Sequence, residues 1–368
     1  MRAGYLPVMR IVIVGATGNV GLGLLRRLGR GGELDLVGVA RRHPGPDAGA
    51  PYDAVRWHSC DIGAPDAVET LAGIFSGAQV VVHLAWQIQP SHDQAALRRT
   101  NVDGSLAVVR AVLRAGVPAL VYASSVGAYA PGPTDGLIDE SWPVTGVRGS
   151  SYSRQKAVVE SILDQVEAAR PELRVVRMRP GLVFQREAGA EIGRYFLGPL
   201  VPVRLLRHGR LPLVPTNRRL RMQAVHADDL ADAYARAILG DARGAFNCAA
   251  DPVLTPELVA EHLHGRTVPV PGAVLRAAAR WSWRARLQPV DAGWVELGLA
   301  APLMSSQRAS VELGWRPSVD AMTALRQLLA GVAERSPADD PPLSGAARLP
   351  GRFGGLVQGR VPGHGNPY

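Results

Sequence analysis

Arg10 to Val14 is a β-branched apolar run with no polar alternation, the pattern of a strand covered on both faces. Glycines follow at once, then Val20 to Leu28 with apolar residues at helical spacing. Leu34 to Ala40 returns to a short apolar run, and Val80 to Leu84 predicts another strand. Leu97 to Ala115 predicts a helix and Pro118 to Ala123 a strand. Tyr152 to Ala169 predicts a helix stopped by Pro171, with a further strand over Leu173 to Met178. Strands alternating with helices imply a Rossmann-type, doubly wound parallel α/β sheet with helices on both faces. No internal repeat interrupts the pattern.

After about Arg179 the periodicity loosens. Leu197 to Pro215 carries four prolines and several arginines, and it is expected to be irregular, substrate-side structure. Asp228 to Leu239 predicts a short helix and Ala245 to Cys248 a short strand. Pro256 to His264 predicts a helix with Thr255 as its cap and proline at its first position. Val274 to Leu287 predicts another. The pattern divides the chain into a dinucleotide-binding domain over 9–180 with return segments near 222–250, and a smaller C-terminal, mainly substrate-binding region over 181–335. Residues 336–368 are rich in proline and glycine and are expected to form a disordered tail. The first eight residues are expected to be dispensable, and Met9 could be the start.

Composition narrows the class. At 47% hydrophobic and 20% charged, the chain reads as a soluble globular enzyme. Its two cysteines, Cys60 and Cys248, can make neither a disulfide framework nor a metal site, so a reducing compartment is expected. No stretch approaches the roughly 18 uncharged apolar residues of a membrane span, which together with the cysteines predicts a cytoplasmic protein with no membrane partner. The net charge of +9 does not signal nucleic acid, because the arginines are spread along the chain. The basic stretch from Arg204 to Arg221 lacks interleaved aromatics and reads as a solvated or substrate-facing rim. Of the 41 basic residues only Lys156 is lysine. A sequence that uses arginine everywhere else keeps a compact, rotatable ammonium at one position.

Gly15-Ala16-Thr17-Gly18-Asn19-Val20-Gly21 places glycines three apart between a predicted strand and helix. Glycine permits the turn there and lets backbone N–H groups approach a pyrophosphate at the helix N-terminus. At the end of the second strand the chain reads Val39-Ala40-Arg41-Arg42. A carboxylate there would bond the ribose 2′-hydroxyl of NAD; its absence, with Arg41 in place, favours the 2′-phosphate of NADP, with NAD the alternative. Tyr152 and Lys156 lie four residues apart on one helix face, where an ammonium and an oxidised nicotinamide would both favour the tyrosine's phenolate.

With these residues in place the chain resembles an extended short-chain dehydrogenase/reductase of the NAD-dependent epimerase/dehydratase family, over roughly Arg10 to Pro317. Asp61-Ile62 resembles the pair that meets the adenine, and His83-Leu84-Ala85 the segment lining the cofactor. Asn101-Val102-Asp103-Gly104, Ser124-Ser125-Val126-Gly127-Ala128-Tyr129 and Arg179-Pro180-Gly181-Leu182-Val183 match further family segments, the last beside the nicotinamide. Val225-His226-Ala227-Asp228-Asp229-Leu230 and Leu313-Gly314-Trp315-Arg316-Pro317 match two later ones.

The resemblance implies that Ser125 bonds the reacting oxygen, Tyr152 exchanges its proton, Lys156 holds the nicotinamide ribose, and Asn101 keeps a water in the proton path. It also implies a homodimer through the helices that begin near Leu97 and Tyr152. Family dehydratases carry an Asp-Glu pair where this chain has Val126-Gly127, which argues against elimination of water. Met222-Gln223-Ala224 stands where sugar-nucleotide enzymes place an arginine clamp, with Arg219 and Arg221 slightly upstream. The expectation is therefore an NADP(H)-dependent oxidoreductase acting on a small-molecule ketone or secondary alcohol, without a metal. The alternatives are an NAD-dependent nucleotide-sugar epimerase and a non-enzymatic dinucleotide sensor. Trp281, Trp283 and Trp294 are expected to pack helices of the smaller region, or else to line an apolar substrate pocket.

Overall fold

The structure is a computed structural model that describes residues 8–30, 33–45, 47–88, 93–196, 210–285, 287 and 291–334. The first half alternates β1 (Met9–Val14), α1 (Asn19–Leu28), β2 (Leu34–Ala40), β3 (Arg56–Ser59), α2 (Ala67–Phe75) and β4 (Val80–His83). Next come α3 (Gln94–Arg98), a π turn over Arg99–Asp103, α4 (Gly104–Ala115), β5 (Ala119–Ala123), a 3₁₀ turn over Val126–Ala128, α5 (Ser151–Ala169) and β6 (Arg174–Pro180). The helix predicted as one piece from Leu97 to Ala115 is thus widened at its start by a π turn, which carries Asn101.

The chain continues through β7 (Leu182–Phe184), α6 (Gly189–Phe196), β8 (Leu213–Thr216), β9 (Met222–His226), α7 (Ala227–Leu239), β10 (Gly244–Cys248) and β11 (Ala250–Leu254). It ends with α8 (Pro256–His262), β12 (Arg266–Pro269), α9 (Gly272–Arg284), α10 (Ala292–Ala300), α11 (Gln307–Glu312) and α12 (Ala321–Glu334).

Seven parallel strands make the main sheet in the order β10-β6-β5-β4-β1-β2-β3. The order reverses between β1 and β4, so the chain leaves both strands in opposite directions and opens a crevice at their carboxyl ends. Ile11 and Ile13 face one apolar layer with α1 and α7, while Val12 and Val14 face another with α2 and α4. This two-sided burial explains why β1 shows no polar alternation. β10 joins β6 as the seventh strand, so a segment late in the chain completes the main sheet.

The late segments meet in space. Trp315, 1% exposed, donates its indole N–H to the Asp229 carbonyl at 2.7 Å. The Asp229 carboxylate accepts from Ser318 Oγ and from the Val319 amide. His226 caps α7 by accepting from the Asp228 amide and bonds Gln327, which makes it a satisfied structural histidine. The expectations for residues 1–7, for 197–209 and for the tail after 334 lie outside the described residues.

Candidate active site

The three glycines of the first loop do different work. Gly15 has φ +88°, and a Cβ there would sit 2.5 Å from the Ala85 amide nitrogen. A Cβ on Gly21 would fall 2.4 Å from the Ala16 carbonyl oxygen. Both are demanded by backbone packing. Gly18 is not, since its Cβ would meet only the Gly15 oxygen at 3.5 Å. It caps α1 with no side-chain bond and no acid in the first turn, so the helix offers free N–H groups and its positive end. A diphosphate fits that cradle, and a side chain at 18 would fill it. Asn19 contributes backbone only, because its amide side chain bonds the Val183 carbonyl and Gln185.

The other residues expected on the cofactor side follow at the same sheet edge. Leu84 is fixed by its amide bonding Val14, and Ala85 touches Gly15. Ile62 is buried against Gly104, and Asp61 accepts from the Gly63 amide. Thr17 and Pro180 are buried, and Val20 and Val183 are half-buried around the mouth of the crevice. Arg41 is exposed at the end of β2 and has no ion-pair or hydrogen-bond partner among the described residues.

Helix α5 holds the chain segment that leaves β5. Three turns of the helix bear on three consecutive residues. Lys156 Nζ donates to the Ala123 carbonyl at 2.6 Å, the Glu160 carboxylate accepts from Ser124 Oγ, and Tyr152 hydrogen-bonds with Ser125. Ser153 Oγ adds a bond to the Gly127 carbonyl. Behind this line Arg179 forms a two-pronged pair with Glu160 at 2.8 and 2.9 Å and donates to the Tyr129 hydroxyl at 2.9 Å. Ser124, Ser153, Lys156, Glu160, Arg179 and Tyr129 are buried and Tyr152 is half-buried, so the bonds among the buried groups are made at low dielectric.

A Cβ at Gly127 would lie 2.8 Å from Tyr152 Cε1. The tyrosine ring therefore occupies the room that an acidic side chain at 127 would need. Burial pushes the Tyr152 phenol up to about 12, against the hydrogen bond to Ser125, which favours the phenolate. Burial also pulls the Lys156 ammonium well down, with the Glu160 carboxylate opposing. The ammonium lies 6.0 Å from the phenol ring centre, and burial dominates both shifts.

Two tryptophans missing from any motif complete the site. Lys156 Nζ lies 3.6 Å from the ring centre of Trp86, a cation–π contact, and Trp86 meets Tyr152 edge-on at 6.1 Å. Trp294 lies over Tyr152 at 5.0 Å and 33°. Trp86 was not readable from the sequence, and Trp294 was named there only as a residue that packs helices or lines a pocket, because each ring reaches the site through tertiary packing. Asn101 is saturated: its amide bonds the Gln87 carbonyl and Gln155 Oε1, and its oxygen accepts from the Gln87 amide. It lines a small recess with Gln87, Gln155, Tyr152 and Trp294. Beyond lies a cleft of about 1000 Å³ whose walls include Arg218, Arg219, Arg276, Glu296 and Leu299. Met222 and Arg221 are not on its wall; Arg221 is tied to the Thr134 carbonyl. No cluster of metal-ligating side chains occurs among the described residues.

Comparison with known proteins agrees with this geometry. The model of the NAD dependent epimerase/dehydratase family matches residues 11–249. The uncharacterized protein Rv2047c of Mycobacterium tuberculosis is 27% identical over 331 residues, 89% of this chain but 30% of that protein, so this chain spans under a third of the relative's length. The Saccharomyces cerevisiae sterol-4-alpha-carboxylate 3-dehydrogenase is 31% identical over 134 residues, 36% of this chain and 37% of that one. Among solved structures, the Thermus thermophilus UDP-glucose 4-epimerase complex with NAD superposes with TM-score 0.64 at 22% identity, covering 88% of this chain and 99% of that one. The dTDP-glucose 4,6-dehydratase DesIV of Streptomyces venezuelae, with NAD bound, gives 0.66 at 21%, covering 91% and 100%. Those identities speak to the fold alone. The family match, the switch-point crevice and the glycine cradle together place the chain in the NAD-dependent epimerase/dehydratase family of short-chain dehydrogenase/reductase enzymes.

Proposed function

We propose that this enzyme exchanges hydride between NADP(H) and a ketone or secondary alcohol, with Ser125, Tyr152 and Lys156 as its working residues. The observation that carries the reading is the packing of Gly127 against Tyr152. Reversible hydride transfer needs a polarised oxygen and one proton. Elimination of water needs an added acid–base pair, and the ring leaves no room for one at 127. The nicotinamide, when bound, supplies or takes the hydride.

The chain's own residues do the rest. Ser125 and the Tyr152 hydroxyl converge on the substrate oxygen. With its phenol lifted by burial, Tyr152 stands protonated at neutral pH, the form that donates to a carbonyl oxygen during reduction. Lys156 holds the ribose hydroxyls from its seat on the Ala123 carbonyl. Asn101 holds Gln87 and Gln155 at the mouth of the recess, where a water in the proton path would be positioned. Unpaired Arg41 supports NADP, with the α1 cradle taking the pyrophosphate and Asp61-Ile62 the adenine.

The wide cleft with three arginines supports one second reading, an epimerase of a nucleotide sugar with NAD. A homodimer through α4 and α5 accords with exposed Leu113 and Val158 on those helices. A reducing, cytoplasmic location accords with two free cysteines, Cys248 being buried. The test is incubation of the enzyme with a carbonyl library and deuterated NADPH or NADH, read by mass. Alcohols that gain one deuterium from the cofactor and one solvent proton, with NADPH preferred, support the proposal. Tightly retained NAD with label returned internally favours the epimerase, and products lighter by one water defeat the argument from Gly127.

A further inference from the structure

Helix α9 carries apolar residues on both of its sides. At about 3.6 residues per turn, Leu275, Ala279 and Trp283 share the inward side, while Val274, Ala277, Ala278 and Trp281 share the outward one. Trp281 is 78% exposed and Val274 52%. An ordinary surface helix keeps its outward side polar. In the flanking chain Val268, in β12, and Leu287, just after the helix, are exposed as well.

The charge on this helix is of one sign. Its three arginines, Arg276, Arg280 and Arg284, follow one another at single-turn intervals, and it has no carboxylate. Some exposed arginines elsewhere are matched, as in Arg56–Asp35, Arg114–Glu69 and Arg236–Asp232, and others, such as Arg41, are not. Arg280 and Arg284 have no partner among the described residues. Like charges one turn apart weaken a helix, so the row is kept against local stability.

We propose that the outer face of α9 is a peripheral docking surface for an anionic lipid layer. An amphipathic helix of this kind lies in the interfacial plane with its apolar side down. Trp281 would seat its indole at the headgroup level, and the Arg280 and Arg284 guanidiniums would take lipid phosphates in two-pronged bonds. A second copy of the chain fits less well, since a two-fold contact would bring two uncompensated arginine rows together. The contact needs no membrane span, and no described helix is long and apolar enough to be one. It revises the expectation of no membrane partner and does not depend on the redox chemistry above.

The full chain would be sedimented with vesicles of phosphatidylcholine alone or of an equal mixture with phosphatidylglycerol. Wild type should pellet with the mixed vesicles, lose binding as salt rises, and stay in the supernatant with the neutral ones. A basic side chain near such a surface is worth about fivefold in partitioning, so reversing both charges in Arg280→Glu/Arg284→Glu should cut binding by at least roughly tenfold. Trp281→Ala should also cut it, and all variants should keep wild-type melting temperature and cofactor affinity. Wild type remaining in the supernatant with both vesicle types would overturn the proposal, as would binding untouched by the substitutions. So would a protein that ignores vesicles but self-associates through a contact that Trp281→Ala abolishes.

Discussion

Helix α5 turns Ser153, Lys156 and Glu160 toward the interior, whereas α9 turns Val274 and Trp281 toward water. Both depart from the usual amphipathic arrangement, but on different terms. Each inward polar group of α5 finds a partner on the segment 123–127 or on Arg179. Without those partners each would cost about 1–3 kcal/mol, so the helix is stable there only because the end of β5 supplies them. Nothing described covers the outer face of α9. Its apolar surface in water costs about 25 cal/mol per Å², a tolerable sum for one helix and one that a surface contact would recover. The contrast separates an inversion the fold requires from one it only permits, and substitutions should tell them apart.

The largest effect on folding is expected at Glu160→Gln. The change leaves the Arg179 guanidinium buried beside a neutral amide, and breaking a buried pair costs about 3–5 kcal/mol. Urea unfolding measures it, and a loss under about 1 kcal/mol would mean that the pair is effectively solvated. Lys156→Arg comes next. A planar guanidinium cannot keep both the Ala123 carbonyl and the space beside Trp86, although the charge survives. Turnover should fall by at least ~100-fold, equivalent to about 2.7 kcal/mol in the barrier. Turnover within about threefold of wild type would reduce Lys156 to a structural residue.

How much of this was legible depends on what each residue answers to. β1, its glycine loop and the Tyr152–Lys156 spacing were readable because two-sided burial, a tight turn and a helix face each leave a local pattern. β3 left none: Arg56-Trp57-His58-Ser59 is a polar edge strand held by one neighbour. β7 and β9 are short segments that pair only through tertiary contact. The role of Gly127 was read as a missing acid, and the structure adds the reason, the ring of Tyr152. The tryptophans show the limit most clearly. One composition-based expectation covered three residues with different fates: Trp294 lies over Tyr152, Trp283 is half-buried, and Trp281 is exposed. Helix phase decides between Trp281 and Trp283, and phase is set by what α9 packs against.

Arg41→Ala tests the cofactor end of the same sheet edge. NADPH should weaken relative to NADH by about 1.5–3 kcal/mol, the worth of a charge-assisted bond. Titration with both nucleotides measures it, and equal effects would leave Arg41 a solvated side chain. A smaller effect belongs to His83, buried beside α5 with its Nε2 at 2.9 Å from Ser105 Oγ. Burial, then the Lys156 charge, lowers it to about 3. The unfolded chain binds the proton first, so stability falls as pH drops from about 6.5 toward 3, by at most about 1.4 kcal/mol per pH unit. His83→Phe should flatten the slope of stability between about pH 6.5 and 5.5, where ordinary carboxylates contribute least. An unchanged slope would show that another group carries it.

The smallest expected effect sharpens the comparison most. If the outer face of α9 meets only solvent in the free protein, Trp281→Ala should change unfolding stability by no more than about 0.5 kcal/mol. The matched control is Trp315→Ala. That indole is 1% exposed and bonded to Asp229, so truncation should cost about 3–5 kcal/mol by opening a cavity and orphaning a carbonyl. Both measurements use the same residue type and the same substitution, so side-chain chemistry cancels and only the environment differs. A loss above about 1 kcal/mol at Trp281 would mean that another part of the chain covers α9 in solution. The helix would then belong with α5, as an inversion the fold requires, and the lipid-docking face would lose its ground.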